Sequence, residues 1–359
     1  MSPEDLYHHL ARLSLAHGVS GREAPVAALF AEAAAPLCNE VRTDALGNVV
    51  AVKYGEQPDS DDRVRFMIAA HTDEIGMLVS AVHPDGFLHV SPVGGVDRSL
   101  LFAKEVWVHT KHGPIPGLIT SRPPHLTKPS EREKLPDWDE LFVDVGLPKD
   151  KLEQTVRIGD MVTMRGRCER LAGTRVAGKA IDDRASVVAM IAMLTHLQRL
   201  RHDVDVYAVA TVQEEVGLRG AMTATFGVAP HVGIAVDVGH AHQPGVPKYK
   251  TAEQGAGPVV ARGANIHPEV YAAICAAAEA YGIKYQTEVV AANTGTDAWA
   301  MQVTRSGVPT GLLSLPLAYM HSQVETVDLN DIGETGRLLA AFAAEADIER
   351  IRGWQRVLI

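Results

Sequence analysis

The sequence predicts an α/β protein with a mostly parallel or mixed sheet, into which a small all-β domain is inserted. Helix and strand patterns alternate from about residue 177 onwards, which is typical of a sheet with helices on both faces. Between about residues 75 and 170, many short β-type segments are separated by glycine and proline, which favours a barrel or sandwich. We therefore expect residues 1–74 and 171–359 to form the α/β domain and residues 75–170 to form a β-barrel-like insertion.

The N-terminal elements are predicted from their hydrophobic spacing. Apolar residues recur at helical spacing in residues 4–16, and the turn GVSGRE follows. A second helix is expected from Glu23 to about Ala35, and then a strand that ends in the turn DALGNVV. RVRFMIAAH is short and mostly apolar, which is typical of a buried strand, and it ends at His71.

The expected insertion contains six β-type segments: GMLVSAV, FLHVSPV, EVWVHT, PIPGLIT, LFVDVG and DMVTMRGRCERL. Residues 121–140 lie among them and are polar and rich in proline, with neither helical nor strand period. Such a stretch inside a compact domain is usually a mobile functional loop.

Longer segments with clear periods follow the insertion. Helices are expected for ASVVAMIAMLTHLQRL, PEVYAAICAAAEAYG and IGETGRLLAAFAAEADIERI. Strands are expected for VDVYAVATV, HVGIAVDV and PTGLLSLPL. The alternation of these two types is what predicts the α/β class.

Composition excludes several classes of function. A net charge of -10 and an aromatic content of 5% argue against a nucleic-acid partner. No stretch approaches the roughly 18 apolar residues of a membrane helix, and the N-terminus lacks the pattern of a signal peptide. Three distant cysteines fit neither a disulfide framework nor a thiol zinc site, so we expect a cytoplasmic protein.

Residues that commonly bind metal ions follow several of the predicted strands. His71 ends one strand, Glu214 and Glu215 follow another, Asp237 ends a third and His321 follows a fourth. In open α/β sheets, the functional crevice lies beyond the carboxyl ends of the strands. We therefore expect these side chains to converge on one site.

Asp182 and Asp73 complete the candidate set. Asp182 lies in GKAIDDR, just before a long predicted helix, where it could also be only a helix cap. Asp73 is two residues beyond His71 and so on the same face of an extended chain, where a carboxylate can orient a metal-bound imidazole. Each of these residues taken alone has an ordinary structural explanation, but their joint placement favours a site.

The donor set indicates the chemistry. Imidazole and carboxylate ligands without thiolate suit zinc, cobalt or manganese, and a pair of ions needs a bridging carboxylate. A water between two ions loses a proton near neutral pH, and a glutamate that is not a ligand can accept that proton and pass it to the leaving amine. The pair Glu214 and Glu215 offers one residue for each role.

The motifs resemble those of the M42 family of metalloaminopeptidases, which includes glutamyl aminopeptidases and the tetrahedral TET peptidases. The resemblance covers nearly the whole chain and rests on these segments: SLAHGVSGRE, AAHTDEIGM, RPPHL, GKAIDDR, VQEEVGLRGA, AVDVG, NTGTDA and YMHSQVETVD. It implies a catalytic domain of the dinuclear zinc exopeptidase type, with two divalent ions per chain, zinc or cobalt first and manganese as a third candidate. It also implies cleavage of N-terminal residues from short peptides.

The resemblance also implies a role for each candidate residue. His71 and Asp237 bind one ion, Glu215 and His321 bind the other, and Asp182 bridges them. Glu214 is the general base that activates the bridging water, and Asp73 is the orienting acid. The inserted β-domain is expected to mediate assembly of dimers into a hollow dodecamer.

Some positions depart from the family pattern or lie outside it. Ala318 stands where many relatives have arginine, and GAGP stands where many have GKGP, so no single substrate specificity is carried over. The GTDA segment, residues 295–298, is expected near the substrate pocket. His240 and His242 follow Asp237, and a polar loop explains them better than a further metal site does.

Other functions stay open at this point. A dinuclear carboxypeptidase or amide deacylase could use the same ions on a different substrate. A glycosidase needs only two carboxylates, which leaves the histidines unexplained. A scaffold without catalysis would not need the complete ligand set.

Overall fold

The computed structural model describes residues 1–57, 62–126 and 134–354. The α-helices in these ranges are α1 (Pro3–Leu15), α2 (Ala24–Ala34), α3 (Lys149–Thr155), α4 (Ile181–His196), α5 (Arg219–Val228), α6 (Pro268–Ala280), α7 (Asp297–Gln302), α8 (Leu329–Ala344) and α9 (Ile348–Trp354). None of the helices in this part of the chain combines the length and the apolar character that a membrane crossing requires.

The strands form a large sheet, a small sheet and a barrel. They are β1 (Glu40–Thr43), β2 (Val49–Lys53), β3 (Arg65–His71), β4 (Gly76–Val82), β5 (Leu88–Val93), β6 (Glu105–Thr110), β7 (Gly113–Thr120), β8 (Phe142–Asp144), β9 (Met161–Met164), β10 (Cys168–Arg170), β11 (Arg175–Gly178), β12 (Asp205–Thr211), β13 (Val232–His240), β14 (Val259–Gly263), β15 (Gln286–Val290), β16 (Thr310–Leu317) and β17 (Glu325–Asp328).

The large sheet has eight strands in the order β1-β2-β12-β3-β13-β16-β14-β15. The four central strands β12, β3, β13 and β16 are parallel to one another, while β1, β2 and β14 pair antiparallel with their neighbours towards the centre. The predicted mixed α/β fold is therefore confirmed. Because the central strands are covered on both faces, their sequences are almost continuously apolar.

Helix α4 lies in the middle of the main core. All of its residues from Ile181 to Leu194 are buried, and it packs against α1, α8 and β3. Helix α1 starts with a capping box between Ser2 and Asp5 and buries three leucines against this core. Burial of each leucine side chain stabilises the fold by about 1.5–3 kcal/mol.

The six strands β4, β5, β8, β7, β6 and β9 close into a barrel with a hydrophobic core of its own. All of them lie between Gly76 and Met164, so the chain enters the barrel shortly after His71 and leaves it before β10. The domain boundaries, 1–74 and 171–359 against 75–170, stay a prediction.

The structure differs from the sequence-based expectation at several elements. DMVTMRGRCERL forms two strands, β9 in the barrel and β10 in an antiparallel sheet with β11 and β17. Gly166 lies between them, where a Cβ would come within 2.9 Å of the Lys179 side chain, so glycine allows this close approach. The expected C-terminal helix is two helices, α8 and α9, and Asp347 accepts a hydrogen bond from Arg350 N at the start of the second.

Part of the predicted proline-rich loop lies outside the described residues. Residues 124–126 and 138–140 form short 3-10 turns. Residues 127–133 are not among the described ranges, so the prediction of a mobile functional loop over 121–140 is not tested there.

Candidate metal centre

The candidate ligands meet at one edge of the large sheet. His71 is the last residue of β3, Asp237 lies near the end of β13, and His321 follows β16. Glu214 and Glu215 follow β12. Because these four strands are parallel neighbours, their carboxyl ends converge and bring the side chains to a common cleft.

Asp182 lies between the two histidines. Its Oδ1 is 3.2 Å from His71 Nε2, and its Oδ2 is 3.3 Å from His321 Nε2. His321 Nε2 is also 3.3 Å from Glu215 Oε1. Two ligands that each stand 2.0–2.2 Å from a tetrahedral ion are about 3.4 Å apart. The observed spacing therefore fits two ion sites that share the Asp182 carboxylate.

Donor atoms cluster in two overlapping groups that could each hold an ion. One group is His71, Asp182 and Glu215, and the other is His71, Asp183 and Asp237, with the atoms of each group within 4.8 Å of one another. The second group contains Asp183, which the sequence interpretation did not assign as a ligand. The only signal for it was its place beside Asp182 in GKAIDDR.

Asp183 is fully buried and touches the end of β3. Its Oδ2 accepts a hydrogen bond from His71 N at 3.2 Å, and its Oδ1 has no hydrogen-bond partner among the described residues. Burial and the negative charge of Asp237 raise the pKa of Asp183 well above its ordinary value. A cation beside these carboxylates would favour their charged form.

Both acidic residues belong to an irregular first turn of α4. Asp182 and Asp183 have non-helical backbone angles, and the peptide bond between them is cis. Asp182 N and Ile181 N donate to Glu325 Oε2 at 3.1 and 2.7 Å. The same carboxylate accepts from His321 N through Oε1 at 2.8 Å, so Glu325 positions two candidate ligands at once.

His321 and Gln213 have left-handed backbone angles, with φ of 60° and 57°. Such a conformation costs about 1 kcal/mol or more for a residue with a side chain, and it recurs at functional sites. One strained residue is the candidate ligand His321 itself, whose backbone N donates to Glu325, and the other directly precedes Glu214.

Asp73 connects His71 to the glutamate pair. Its Oδ1 is 3.4 Å from His71 Nδ1 and accepts a hydrogen bond from Glu214 N at 3.0 Å. Its Oδ2 accepts from Glu215 N at 3.1 Å and from Ser20 Oγ at 2.6 Å. Burial opposes the charge, but the hydrogen bond and charge of His71 lower the pKa of Asp73 below its ordinary value.

Glu214 is buried and lines the same cleft, but it belongs to neither donor group. Burial raises the pKa of Glu214 well above its ordinary value, and the charges of Asp237 and Asp297 act in the same direction, against that of His71. Cations bound beside Glu214 would favour its charged form, which is the form that can accept a proton.

A buried ionic network behind the site was missed by sequence reasoning. Glu74 Oε2 is 2.6 Å from Lys179 Nζ, and Glu74 Oε1 is 3.1 Å from Arg184 Nη2. Arg184 is fully buried and also donates to the carbonyl oxygens of Leu13 and Thr72. The sequence shows only that both cations flank Asp182 in GKAIDDR and that Glu74 directly follows Asp73, not that the three residues pair.

The cleft over the ligands opens to solvent and has a volume of about 320 Å³. Gly295 and Thr296 of the GTDA segment line it, and so does His240. Ala318 is buried, pairs with Thr326 in an isolated bridge and does not line the cleft.

Comparison with known proteins shows extensive similarity to one peptidase family. The family model for M42 glutamyl aminopeptidase matches residues 47–338. A lysyl aminopeptidase of Pyrococcus furiosus is 39% identical over 333 residues, which are 91% of this chain and 94% of that protein.

Solved structures give the same result. An aminopeptidase from the archaeon Desulfurococcus kamchatkensis has a TM-score of 0.91 and 38% identity, with 99% of each chain covered. The TET1 peptidase of Pyrococcus horikoshii has a TM-score of 0.83 and 30% identity over 95% of this chain and 100% of its own. That protein is described as able to assemble into a tetrahedron or a large octahedral shell.

Proposed function

Because this chain belongs to the M42 family of aminopeptidases, we propose that it hydrolyses the N-terminal residues of short peptides with the help of two divalent metal ions. The observation that carries the proposal is the position of Asp182 between His71 and His321, with one carboxylate oxygen towards each imidazole. If Asp182 were only a helix cap, its carboxylate would not need one oxygen close to each imidazole.

Five residues would hold the ions. His71 and Asp237 would bind one, Glu215 and His321 the other, and Asp182 would contact both. The donors are nitrogen and oxygen only, which suits zinc or cobalt, with manganese as a third candidate. Two bound ions lower the pKa of a water between them and polarise the substrate carbonyl.

The protein's own proton acceptor in this scheme is Glu214. It is buried beside the ligands without belonging to either donor group, so its carboxylate is available to take a proton from the attacking water. The same group then delivers that proton to the amine that leaves. Asp73 would orient His71 and hold the backbone of both glutamates.

The charges in the cleft favour an aminopeptidase over a carboxypeptidase. Among the described residues that line the cleft, the acidic side chains include Asp182, Glu214, Glu215 and Asp237, and Lys250 is the only lysine or arginine. Lys250 is exposed. The two ions would offset the charges of Asp182, Glu215 and Asp237, but Glu214 lies outside the donor groups and would attract a free α-ammonium group. For a terminal carboxylate, the described cleft residues offer only the exposed Lys250.

We further propose that the barrel region, residues 75–170, mediates assembly of dimers into a hollow dodecamer. The assembly described for the TET1 peptidase supports this proposal, as does the separate hydrophobic core of the barrel. Active sites that face an enclosed space would admit short peptides and exclude folded proteins.

Blocked and free substrates test the proposed function. With added zinc, cobalt or manganese, the protein should hydrolyse amino-acid p-nitroanilides, and acetylation of the substrate amine should abolish hydrolysis. Faster cleavage of acetylated than of free substrates would instead identify an amide deacylase, and release of C-terminal residues would identify a carboxypeptidase.

A further inference from the structure

The family model is named after glutamyl substrates and the relative from Pyrococcus furiosus after lysyl substrates. The substrate side chain that this cleft prefers therefore has to be inferred from the residues of the cleft. One carboxylate in the cleft takes no part in the candidate metal centre. Glu288 lies on β15 and lines the cleft together with Gly239 and Ser314.

The position of Glu288 is fixed by its neighbour. Ser314 Oγ donates a hydrogen bond to Glu288 Oε1 at 2.6 Å, and Ser314 is buried. No lysine, arginine or histidine of the described residues forms an ion pair with Glu288. The carboxylate is half-buried, so its charge is only partly screened by water.

The second oxygen of Glu288 lies near Gly239, which also lines the cleft. A Cβ on Gly239 would lie 3.0 Å from Ser314 Cβ and 3.8 Å from Glu288 Oε2, so glycine keeps a side chain out of the narrow space beside this oxygen. Gly239 is two residues beyond Asp237 on β13, and side chains two residues apart on a strand point to the same face. The space therefore lies beside a candidate metal ligand.

The dimensions fit a long basic side chain. Positions two residues apart on a strand are separated by about 6.6 Å. The ammonium group of an extended lysine is about 6 Å from its Cα, at the end of a four-carbon stem. A substrate whose α-amine and carbonyl lie at the metal centre can thus place a terminal ammonium group near Glu288 Oε2.

We propose that Glu288, held by Ser314 in front of the space over Gly239, selects peptides whose N-terminal residue is lysine or arginine. This inference rests on the proposed aminopeptidase function and adds the substrate class. Lys250 also lines the cleft, but its side chain is exposed and its ammonium group is 5.8 Å from the ring centre of Tyr249. An exposed cation at the rim opposes a basic substrate less than a half-buried carboxylate attracts it.

Lysine and norleucine p-nitroanilides test the inference, because norleucine has the same carbon stem without the ammonium group. The wild-type ratio of kcat/KM for lysine over norleucine should be at least about tenfold, as expected for one partly buried charged contact. Glu288→Gln should bring the ratio close to one, and Glu288→Lys should make glutamate p-nitroanilide the better substrate. Both substrates react at the same centre, so the ratio cancels any general loss of activity.

A second readout avoids turnover. Inhibition constants of the products L-lysine and L-norleucine should differ in the wild type and converge in Glu288→Gln. The matched control is Glu279→Gln, which removes one negative charge from the exposed face of α6 and should leave the lysine-to-norleucine ratio unchanged.

The outcomes separate the two proposals. If the wild type hydrolyses lysine and norleucine substrates equally well, or if Glu288→Gln keeps the lysine preference, the assignment to Glu288 is overturned and the aminopeptidase stands. A wild-type preference for glutamate would overturn it in favour of Lys250. If no aminoacyl p-nitroanilide is cleaved with any of the three metals, the proposed function fails and the substrate class fails with it.

Discussion

Replacement of Asp73 by asparagine tests whether this carboxylate holds the candidate centre together. Asp73 has four neighbours that can donate to its two oxygens: Glu214 N, Glu215 N, Ser20 Oγ and His71 Nδ1. Asparagine keeps one carbonyl oxygen, so its NH2 group must face the backbone N–H of either Glu214 or Glu215. One hydrogen bond to a charged group is then lost at a site that is fully buried.

A hydrogen bond to a charged group contributes about 1.5–3 kcal/mol, which corresponds to a factor of about 10–150. We expect Asp73→Asn to lower kcat or the affinity for metal by this factor while the protein stays folded. Ser20→Ala is the matched control, because it removes one donor and leaves the carboxylate, and its effect should be below about tenfold.

Competition with a chelator measures the metal affinity, p-nitroanilide hydrolysis at saturating metal measures kcat, and circular dichroism checks the fold. Wild-type values for both affinity and kcat in Asp73→Asn would refute the role of Asp73. A larger effect in Ser20→Ala than in Asp73→Asn would also contradict it.

Three further predictions address the base, the barrel and the assembly. Glu214→Gln should keep both ions and lower kcat by roughly 100-fold or more, whereas Glu215→Gln should weaken one ion, as metal analysis and kinetics can show. Burial, with the charge of His17, lowers the pKa of His109 to about 4. The neutral form of His109 therefore stabilises the fold fully above pH 6.5, and this stabilisation is lost as the pH falls towards 4. Melting temperatures between pH 7 and 5 should therefore fall less in His109→Gln than in the wild type or in the exposed control His112→Gln; equal slopes would contradict this. Light scattering should give a particle far larger than a dimer, and an active monomer would exclude the compartment.

The central strands and the candidate ligands were predictable from the sequence for a physical reason. Buried parallel strands are long apolar segments, so their ends at His71 and near Asp237 are visible as changes in polarity. The order of the strands is not visible in this way, because it depends on contacts between distant parts of the chain. The convergence of the ligands followed only from a general rule for α/β sheets.

Other features could not be predicted, because they depend on local backbone geometry that the spacing of apolar residues does not reveal. Helix α7 has six residues and α5 has ten, too few for a clear helical period. The irregular first turn of α4, which directs Asp182 towards the histidines and Asp183 towards the end of β3, has the same sequence pattern as a regular helix start. For this reason Asp183 was not assigned to the site.

The buried network of Glu74, Lys179 and Arg184 could not be predicted from the sequence either. The partners are separated by 105 and 110 positions in the chain. Charged residues are usually exposed, and only the fold reveals that these three are buried together. Burial and charge pairing therefore had to be observed in three dimensions.

Metal stoichiometry tests the central claim, two ions that share Asp182, most directly. Elemental analysis of the zinc-loaded or cobalt-loaded wild type should give about two ions per chain, because His71 with Asp237 and Glu215 with His321 provide donors on both sides of Asp182. Asp182→Ala should lose both ions and the activity, while a folded protein is still seen by circular dichroism. A wild type that holds two ions while Asp182→Ala retains both would contradict the shared carboxylate, and full activity after exhaustive chelation would contradict the metal centre itself.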